Sequence, residues 1–548
     1  MATIKIGDKV CEFEGSKSIL QVALENGIEI PHYCYHPGLS VVASCRICLA
    51  EVAQPNPRND NKVETIPKLV PTCQHPAVDG AEVYLDSPKS EANQKAVMEY
   101  LLINHPLDCP VCDQAGECFL QDYSYDYGRA YSRFEETKVK QPKKDIGPHV
   151  LLYSDRCIMC SRCVRFTREV SGTNEIGVFG RGNTEEIDIF PGKALDNELS
   201  GNVVDICPVG ALLDKDFLFE QRVWNLKETP SIDGITASGD NLWIHHNEGR
   251  VWRVKPRANM NVNKWWTSDE IRYGWEHVHD TNRLTQPLWL ETRTQQETDW
   301  DVAYGELLRG LRGVLDEGKH IAVMLSPMLS SEDAYLLAKF IKQFDAGATV
   351  GIGPVPRIGE DKTYPGGYTT YAEKAPNARG VRRVAERVFD GSENVLDYDA
   401  FYELLNGDDA HNANIGGVLF TGNYPSAWVT TVLLEALGQR FVALIDTLPN
   451  SLSTKAHVVL PSATWLEKSG SFENVNNVIQ AFEQAVPAVE FARPEGQIAL
   501  DLMAAAGMSG PARFDAAATR QDMGDAFAEV SIPAPRDSRE PDMQYVEF

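Results

Sequence analysis

The sequence predicts a multidomain chain, α+β over its first half and α/β over its second, and three observations carry that expectation. Residues 1–85 alternate apolar and polar side chains around a hairpin and one helix, the pattern of a small β-grasp-like unit. All twelve cysteines lie between Cys11 and Cys207, which leaves residues 208–548 without one. Between about 300 and 500, strand patterns alternate with helical ones, as in a largely parallel sheet.

Taken in order, TIKIGDKVCEFEG turns at Gly7-Asp8, and SILQVALENGI reads as a helix packed on that hairpin. A late strand, AEVYL, follows Val78-Asp79-Gly80. Residues 90–103 have helical periodicity, and the proline after His105 stops that helix, so it delivers His105 to the loop beyond. Residues 135–148 read as a polar linker, and 150–215 as a second cysteine-bearing unit. Short strands rich in Trp and Asn fill 220–290. IAVML (321–325) then precedes SSEDAYLLAKFIKQF, VLFTG (418–422) precedes SAWVTTVLLEALG, and FVALID (441–446) and HVVLP (457–461) complete the α/β set. Beyond about 508 the Ala-, Pro- and Asp-rich tail is expected to be poorly ordered or draped on a partner. The expected units are therefore 1–85, 86–135, 136–218, 219–290, 291–507 and 508–548.

Composition narrows the function classes. A net charge of −26 argues against nucleic acid, because phosphate binding needs a concentrated positive face. The acidity serves solubility or surfaces that meet basic partner subunits. No apolar run approaches the length that crosses a bilayer, and MATIKIGDKV enters a strand directly. A cytoplasmic, bacterial-type protein or a processed organellar one is expected. There is no P-loop and no G-x-G-x-x-G opening a helix; GIGPVP (351–356) is a lone Gly-x-Gly, so neither NADH nor FMN has a recognisable site. Clustered C-x2-C spacing in a leaderless chain points to metal rather than disulfides.

Three ligand sets emerge. Cys34, Cys45, Cys48 and Cys73 are separated by ten, two and twenty-four residues. This is the loop, pair and distant-cysteine layout of two-iron ferredoxins with a longer first gap; a four-cysteine zinc site is the rival. Arg46, between two of these cysteines, either raises the potential of such a site or is a surface arginine. Cys157, Cys160 and Cys163 form C-x2-C-x2-C, and Cys207-Pro208 is the distant member. In two-cluster ferredoxins the fourth cysteine of one run ligates the other cluster. Here Thr167 stands in the fourth position of the first run. Asn197, Ser200 and Val203 replace the first three of the second, so a single complete set remains. Between these two lies NHPLDCPVCDQAGEC, which supplies His105, Cys109, Cys112 and Cys118. Alone, this stretch is open between a zinc knot and a four-iron site; its position between two ferredoxin-like sets favours iron. Imidazole in place of a thiolate removes one negative charge and raises the potential of a bound cluster. Cys11 is left over as a small core residue.

These sets, in this order, resemble the large peripheral-arm iron–sulfur subunits of NADH:quinone oxidoreductase (respiratory complex I), known in bacteria by the letter G. The resemblance extends through GRVWRVKPRANMNVNKWW and STKAHVVLPSATWLEKSGSFENVNN and so covers essentially the whole chain. It implies one 2Fe-2S cluster on the first set, 4Fe-4S clusters on the other two, and a molybdopterin-oxidoreductase-like half that has lost its cofactor. It also implies a relay protein with no catalytic residue, substrate, NAD or FMN site of its own. Electrons would enter at the two-iron site, pass to the all-cysteine four-iron site and leave through the histidine-ligated one. The implied partners are the other peripheral-arm subunits, including the NADH/FMN-binding subunit and the quinone-side iron–sulfur subunits. The implied location is peripheral, on the cytoplasmic side of the bacterial inner membrane. Some relatives carry a further four-iron site just after residue 225, where this chain has no cysteine. The alternatives are an NAD-linked formate dehydrogenase alpha chain, a hydrogenase electron-transfer subunit and a zinc-stapled assembly protein. The first needs a molybdenum ligand, and the second should end soon after the ferredoxin modules.

Overall fold

The computed structural model describes residues 1–292, 294–407 and 414–530. Its N-terminal sheet starts with the expected hairpin, β1 (Ala2–Ile6) antiparallel to β2 (Lys9–Phe13), with Ile4 opposite Cys11. Alternation turns Ile4, Ile6, Cys11 and Phe13 inward, and Cys11 is a fully buried core residue. A capping box between Ser18 and Gln21 starts α1 (Ile19–Glu25), which lays Ile19, Leu20, Val22 and Ala23 on the same core. The remaining strands are β3 (Leu49–Asn56), β4 (Lys62–Thr65), β5 (Val70–Pro71) and β6 (Ala81–Tyr84). They give the order β2-β1-β6-β3-β4, with β5 beside β3 and only the central β1–β6 pair parallel. The loop between α1 and β3 carries Cys34 and Cys45.

The helix α2 (Pro88–Leu102) is capped by Ser87, has proline at its first position and ends three residues before His105. The helix α3 (Phe119–Tyr127) begins directly after Cys118, and α4 (Arg162–Glu169) carries Cys163 in its first turn. The polar stretch 135–148 is not wholly a linker. Lys143–Asp145 adds an edge strand to Val150–Tyr153, which pairs on its other side with Leu212–Asp214. An edge strand tolerates such polarity, and Lys144 is held there by Glu186 at 3.1 Å and by Asp188.

Strands Lys227–Ile232, Asn241–Asn247 and Arg250–Pro256 then form an antiparallel sheet. Among the described residues the α/β half is built around an eight-stranded sheet. Its parallel part runs Val458–Pro461, Phe441–Asp446, Ile415–Thr421, His320–Leu325, Thr349–Ile352 and Val395–Leu396, and the pair Leu288–Glu291 and Thr294–Glu297 adds an antiparallel edge. Fully buried helical residues cover both faces, Leu307 and Phe340 in one core cluster and Phe401 and Leu433 in the other. The helix read from SAWVTTVLLEALG is confined to Thr431–Ala436.

The tail departs from expectation where it is described. Helix Ala516–Met523 docks on the chain's own Ser331–Phe344 helix, with Met523 fully buried, Arg520 donating to Glu332 at 2.7 Å and Tyr335 donating to Asp522 at 3.0 Å. Two large apolar side chains, Met523 and Phe527, are enough to anchor a segment whose composition alone suggested disorder. Residues 531–548 of that tail lie outside the described residues.

Candidate metal centres

The first set is built by a loop that accepts unfavourable backbone geometry. Ala43 and Arg46, on either side of Cys45, adopt left-handed φ angles of 50° and 62°. Non-glycine residues held there cost of the order of 1 kcal/mol each and gather where a side chain must be aimed. The result brings the four thiols into two hydrogen-bonded pairs. A hydrogen bond between Cys34 and Cys45 holds Cys34 down at about 5 and pushes Cys45 up. The Cys48 and Cys73 sulfurs lie 3.6 Å apart, and their hydrogen bond lowers Cys48 to about 7 and raises Cys73. Arg46 is exposed.

The third set uses the same device, with Met159 at φ 54° and Ser161 at φ 60° flanking Cys160. Burial pushes the Cys157, Cys160 and Cys163 thiols up, and each also feels negative charge on other sulfurs of the set, Cys207 among them. The distant Cys207 packs with Cys157 against the apolar cluster that holds Cys160, while Thr167 is buried and its hydroxyl donates to the Val164 carbonyl within its own helix.

The middle set spans the start of α3. Cys118 is that helix's N-cap, where the backbone N–H groups of Leu120 and Gln121 favour its anionic form against a burial that pushes it up to about 12. Cys112 is buried and Cys109 exposed. His105, Cys109 and Cys118 line one cavity of about 500 Å³. Burial, reinforced by the Arg156 charge, lowers His105 to about 4, so its ring is neutral, the form that ligates metal. Its Nδ1 is buried and has no hydrogen-bond partner. Gly210 completes the cradle: a Cβ there would stand 2.3 Å from the Cys112 sulfur. An unpartnered imidazole nitrogen, gathered thiols and a glycine that makes room for one of them suit a sulfur-rich metal group. Among the described residues no three His, Cys, Asp or Glu side chains are placed to hold a single metal ion.

The sets also meet one another. Cys34, Cys118 and Cys160 sit in a single buried cluster with Tyr33, Val97, Met98 and Val209, and Cys45, Cys157 and Cys207 pack against it. Three buried arginines around this core, Arg156, Arg162 and Arg165, escaped the sequence reading. The available signal was their place in SDRCIMCSRCVRF, where each adjoins or nearly adjoins a cysteine. Arg156 donates to Asp108 at 3.0 Å and lies over the Tyr153 ring at 4.0 Å. Glu117, next to Cys118, is gripped by Arg253 through two hydrogen bonds of 2.9 and 2.7 Å.

Comparison with known proteins places these features. Residues 1–88 match the 2Fe-2S iron–sulfur cluster binding domain, and 94–133 the NADH-ubiquinone oxidoreductase-G iron–sulfur binding region. Residues 147–213 match the ferredoxin-like domain of NADH-quinone oxidoreductase subunit 3. Residues 226–276 match the NDSU1/NuoG-like 4Fe-4S domain, although this chain has no cysteine there, and 414–505 match the molybdopterin oxidoreductase family. The G-type subunit of NADH-quinone oxidoreductase from Rickettsia conorii is 38% identical over 62% of the chain and 48% of its own length. The NADH-ubiquinone oxidoreductase 75 kDa subunit of Reclinomonas americana is 38% identical over 59% and 45%, respectively. The chain thus spans less than half the length of these curated relatives, and the alignments take in about three-fifths of it rather than the whole. A chain from the crystal structure of an NAD+-reducing [NiFe]-hydrogenase is 28% identical, covering 40% of this chain and 91% of its own, with a TM-score of 0.35. No helix among the described residues is long and apolar enough to cross a membrane. The chain carries a 2Fe-2S-type N-terminal domain and a molybdopterin-oxidoreductase-like C-terminal region, and over about 60% of its length it is a homologue, at about 38% identity, of the G-type and 75 kDa subunits of NADH-quinone oxidoreductase.

Proposed function

We propose that the chain is the iron–sulfur relay subunit of an NADH:quinone oxidoreductase. It carries one 2Fe-2S cluster on Cys34, Cys45, Cys48 and Cys73. It carries 4Fe-4S clusters on His105, Cys109, Cys112 and Cys118 and on Cys157, Cys160, Cys163 and Cys207. The observation that carries this reading is the convergence of all three sets on one dry core, since water-free, close-packed surroundings suit electron transfer between neighbouring sites. Contacts support the order two-iron, all-cysteine, histidine-bearing. The third set touches the first through Arg165, which donates to the carbonyls of Cys34 and Cys160. It touches the second where the Phe119 N–H donates to the Pro208 carbonyl.

When bound, the clusters supply one-electron chemistry. The chain's own residues supply anchoring thiolates, one neutral imidazole, exclusion of water and fixed charge; no acid, base or nucleophile is assigned a catalytic role. In the second half, the C-terminal ends of parallel strands are where an α/β sheet binds ligands. Asn423, Trp428 and Asp446 fill that edge in mutual hydrogen bonding, and Lys468 is enclosed between Asp333 and Glu495 nearby. This packing and the lack of any cysteine beyond Cys207 support a scaffold without molybdopterin.

The NADH/FMN-binding subunit feeds the two-iron end. A quinone-side iron–sulfur subunit docks at the exposed apolar surface around Cys109, formed by Leu107, Val111, Tyr125 and Trp224. The complex holds the chain at the cytoplasmic face of the membrane. Elemental analysis of the purified chain tests the reading: about ten irons with matching acid-labile sulfide are expected. Stoichiometric zinc in a colourless protein overturns it in favour of a zinc-stapled assembly role.

A further inference from the structure

We infer that Arg165 is a shared positioning residue for two sites, a buried cation that ties the first ligand set to the third and sets both reduction potentials together. The inference rests on the relay reading above. Arg165 is 3% exposed, and its Nη2 donates to the backbone carbonyls of Cys34 and Cys160, one ligand from each set. Its Nη1 donates to the Ser40 carbonyl in the same loop as Cys34, and its Nε to the Ser161 hydroxyl at 3.4 Å. Arg162, 2% exposed, repeats the tie one ligand further on. It donates to the carbonyl of Tyr35, next to Cys34, at 2.6 Å and to that of Ile206, next to Cys207, at 3.1 Å.

These hydrogen-bond acceptors are neutral. A guanidinium withdrawn from water needs a counter-charge. The carboxylate of Glu169, one turn along α4, reaches back to Ser40 and is one such group for Arg165. The sulfurs of Cys160 and Cys34, when they are thiolates, are two more. A ligand set becomes more negative when it accepts an electron, so a cation fixed beside two sets favours the reduced state of both. Buried, it is little screened by salt. The middle set has a separate cation in Arg156, which acts on Cys112 and His105 and is pinned by Asp108. The arrangement therefore predicts a coupled response of two sites and an independent response of the third.

The test is a redox titration of the full-length chain followed by electron paramagnetic resonance, with iron content measured on each sample. Arg165→Gln is expected to keep its iron and lower the midpoints of the two-iron and all-cysteine sites together, leaving the histidine-bearing site in place. The shift is about tenfold in the reduced-to-oxidised ratio at fixed potential, about 59 mV for a one-electron couple. Arg156→Gln is expected to give the converse pattern. If Arg165→Gln loses iron, Arg165→Lys becomes the test: with the charge kept, both midpoints stay at the wild-type values. Full iron with neither midpoint moved, or only one, overturns the inference and leaves the relay standing, as does a joint fall in Arg165→Lys. A wild-type chain that binds no iron removes the relay reading itself.

Discussion

The backbone N–H of Phe119 donates to the carbonyl oxygen of Pro208 at 3.2 Å. Each is the residue that follows a candidate ligand, Cys118 in one set and Cys207 in another. The two sets are thus joined by main chain, the least adjustable part of either loop, and the contact brings Gly210 up to Cys112.

That closeness makes Gly210 a sensitive position. Gly210→Ala would place a methyl 2.3 Å from the Cys112 sulfur, a separation no packed structure accepts. Loss of the middle site is expected, with iron falling from about ten to about six per chain while the other two signals persist. Iron analysis and low-temperature spectra read the outcome; a full complement of iron counts against the placement of Cys112.

Arg253 anchors the same loop from the neighbouring β-sheet. Burial works to raise the Glu117 carboxyl, but the Arg253 and Lys255 charges win and hold it at about 2. Because its folded value lies below the unfolded one, this group stabilises the protein above about pH 4.5 and the contribution fades as pH falls towards 2. Arg253→Ala is expected to cost about 2 kcal/mol, the scale of a lost charge-assisted pair, with Lys255 still 3.6 Å away. Thermal unfolding at pH 7 and pH 4 should show a smaller difference between mutant and parent at the lower pH.

His105→Cys replaces a neutral donor with a thiolate. The middle site is expected to form and to titrate at a lower potential, because its ligand set gains one negative charge. An unchanged midpoint in the variant argues that His105 is not a ligand.

A buried acid pair beside the antiparallel sheet of residues 227–256 gives that unit its own pH response. Burial raises Asp233 to about 6 and Asp240 to about 7, and the two carboxyls repel each other. Tyr368 donates to Asp240 at 2.6 Å, and Ser238 to Asp233 at 3.0 Å. With folded values above the unfolded ones, the native state holds protons that the unfolded chain has released. Stability therefore declines as pH rises from about 4 to about 7 and levels off above. Asp240→Asn should flatten the decline; melting temperatures at pH 5, 6.5 and 8 that keep the parental slope would refute this.

Much of the candidate site was legible because its signals are local. C-x2-C spacing, the proline after His105 and the lone Cys207-Pro208 are properties of short covalent stretches, and ligand chemistry restricts what such stretches can hold. Strands and helices of the α/β half were legible for the same reason, since apolar periodicity follows burial. The arginines were not. Arg165 finds its acceptor at Cys34, 131 residues away, and Glu117 finds Arg253 at a distance of 136, separations over which no spacing rule operates. The same holds for the tail, where Arg520 meets Glu332 across 188 residues. By itself, the sequence marked out three candidate ligand sets and the residues proposed for each. Only the tertiary structure decided that the sets share one dry core and that fixed cations stand between them, because desolvation and Coulombic pairing depend on distances in space and not along the chain.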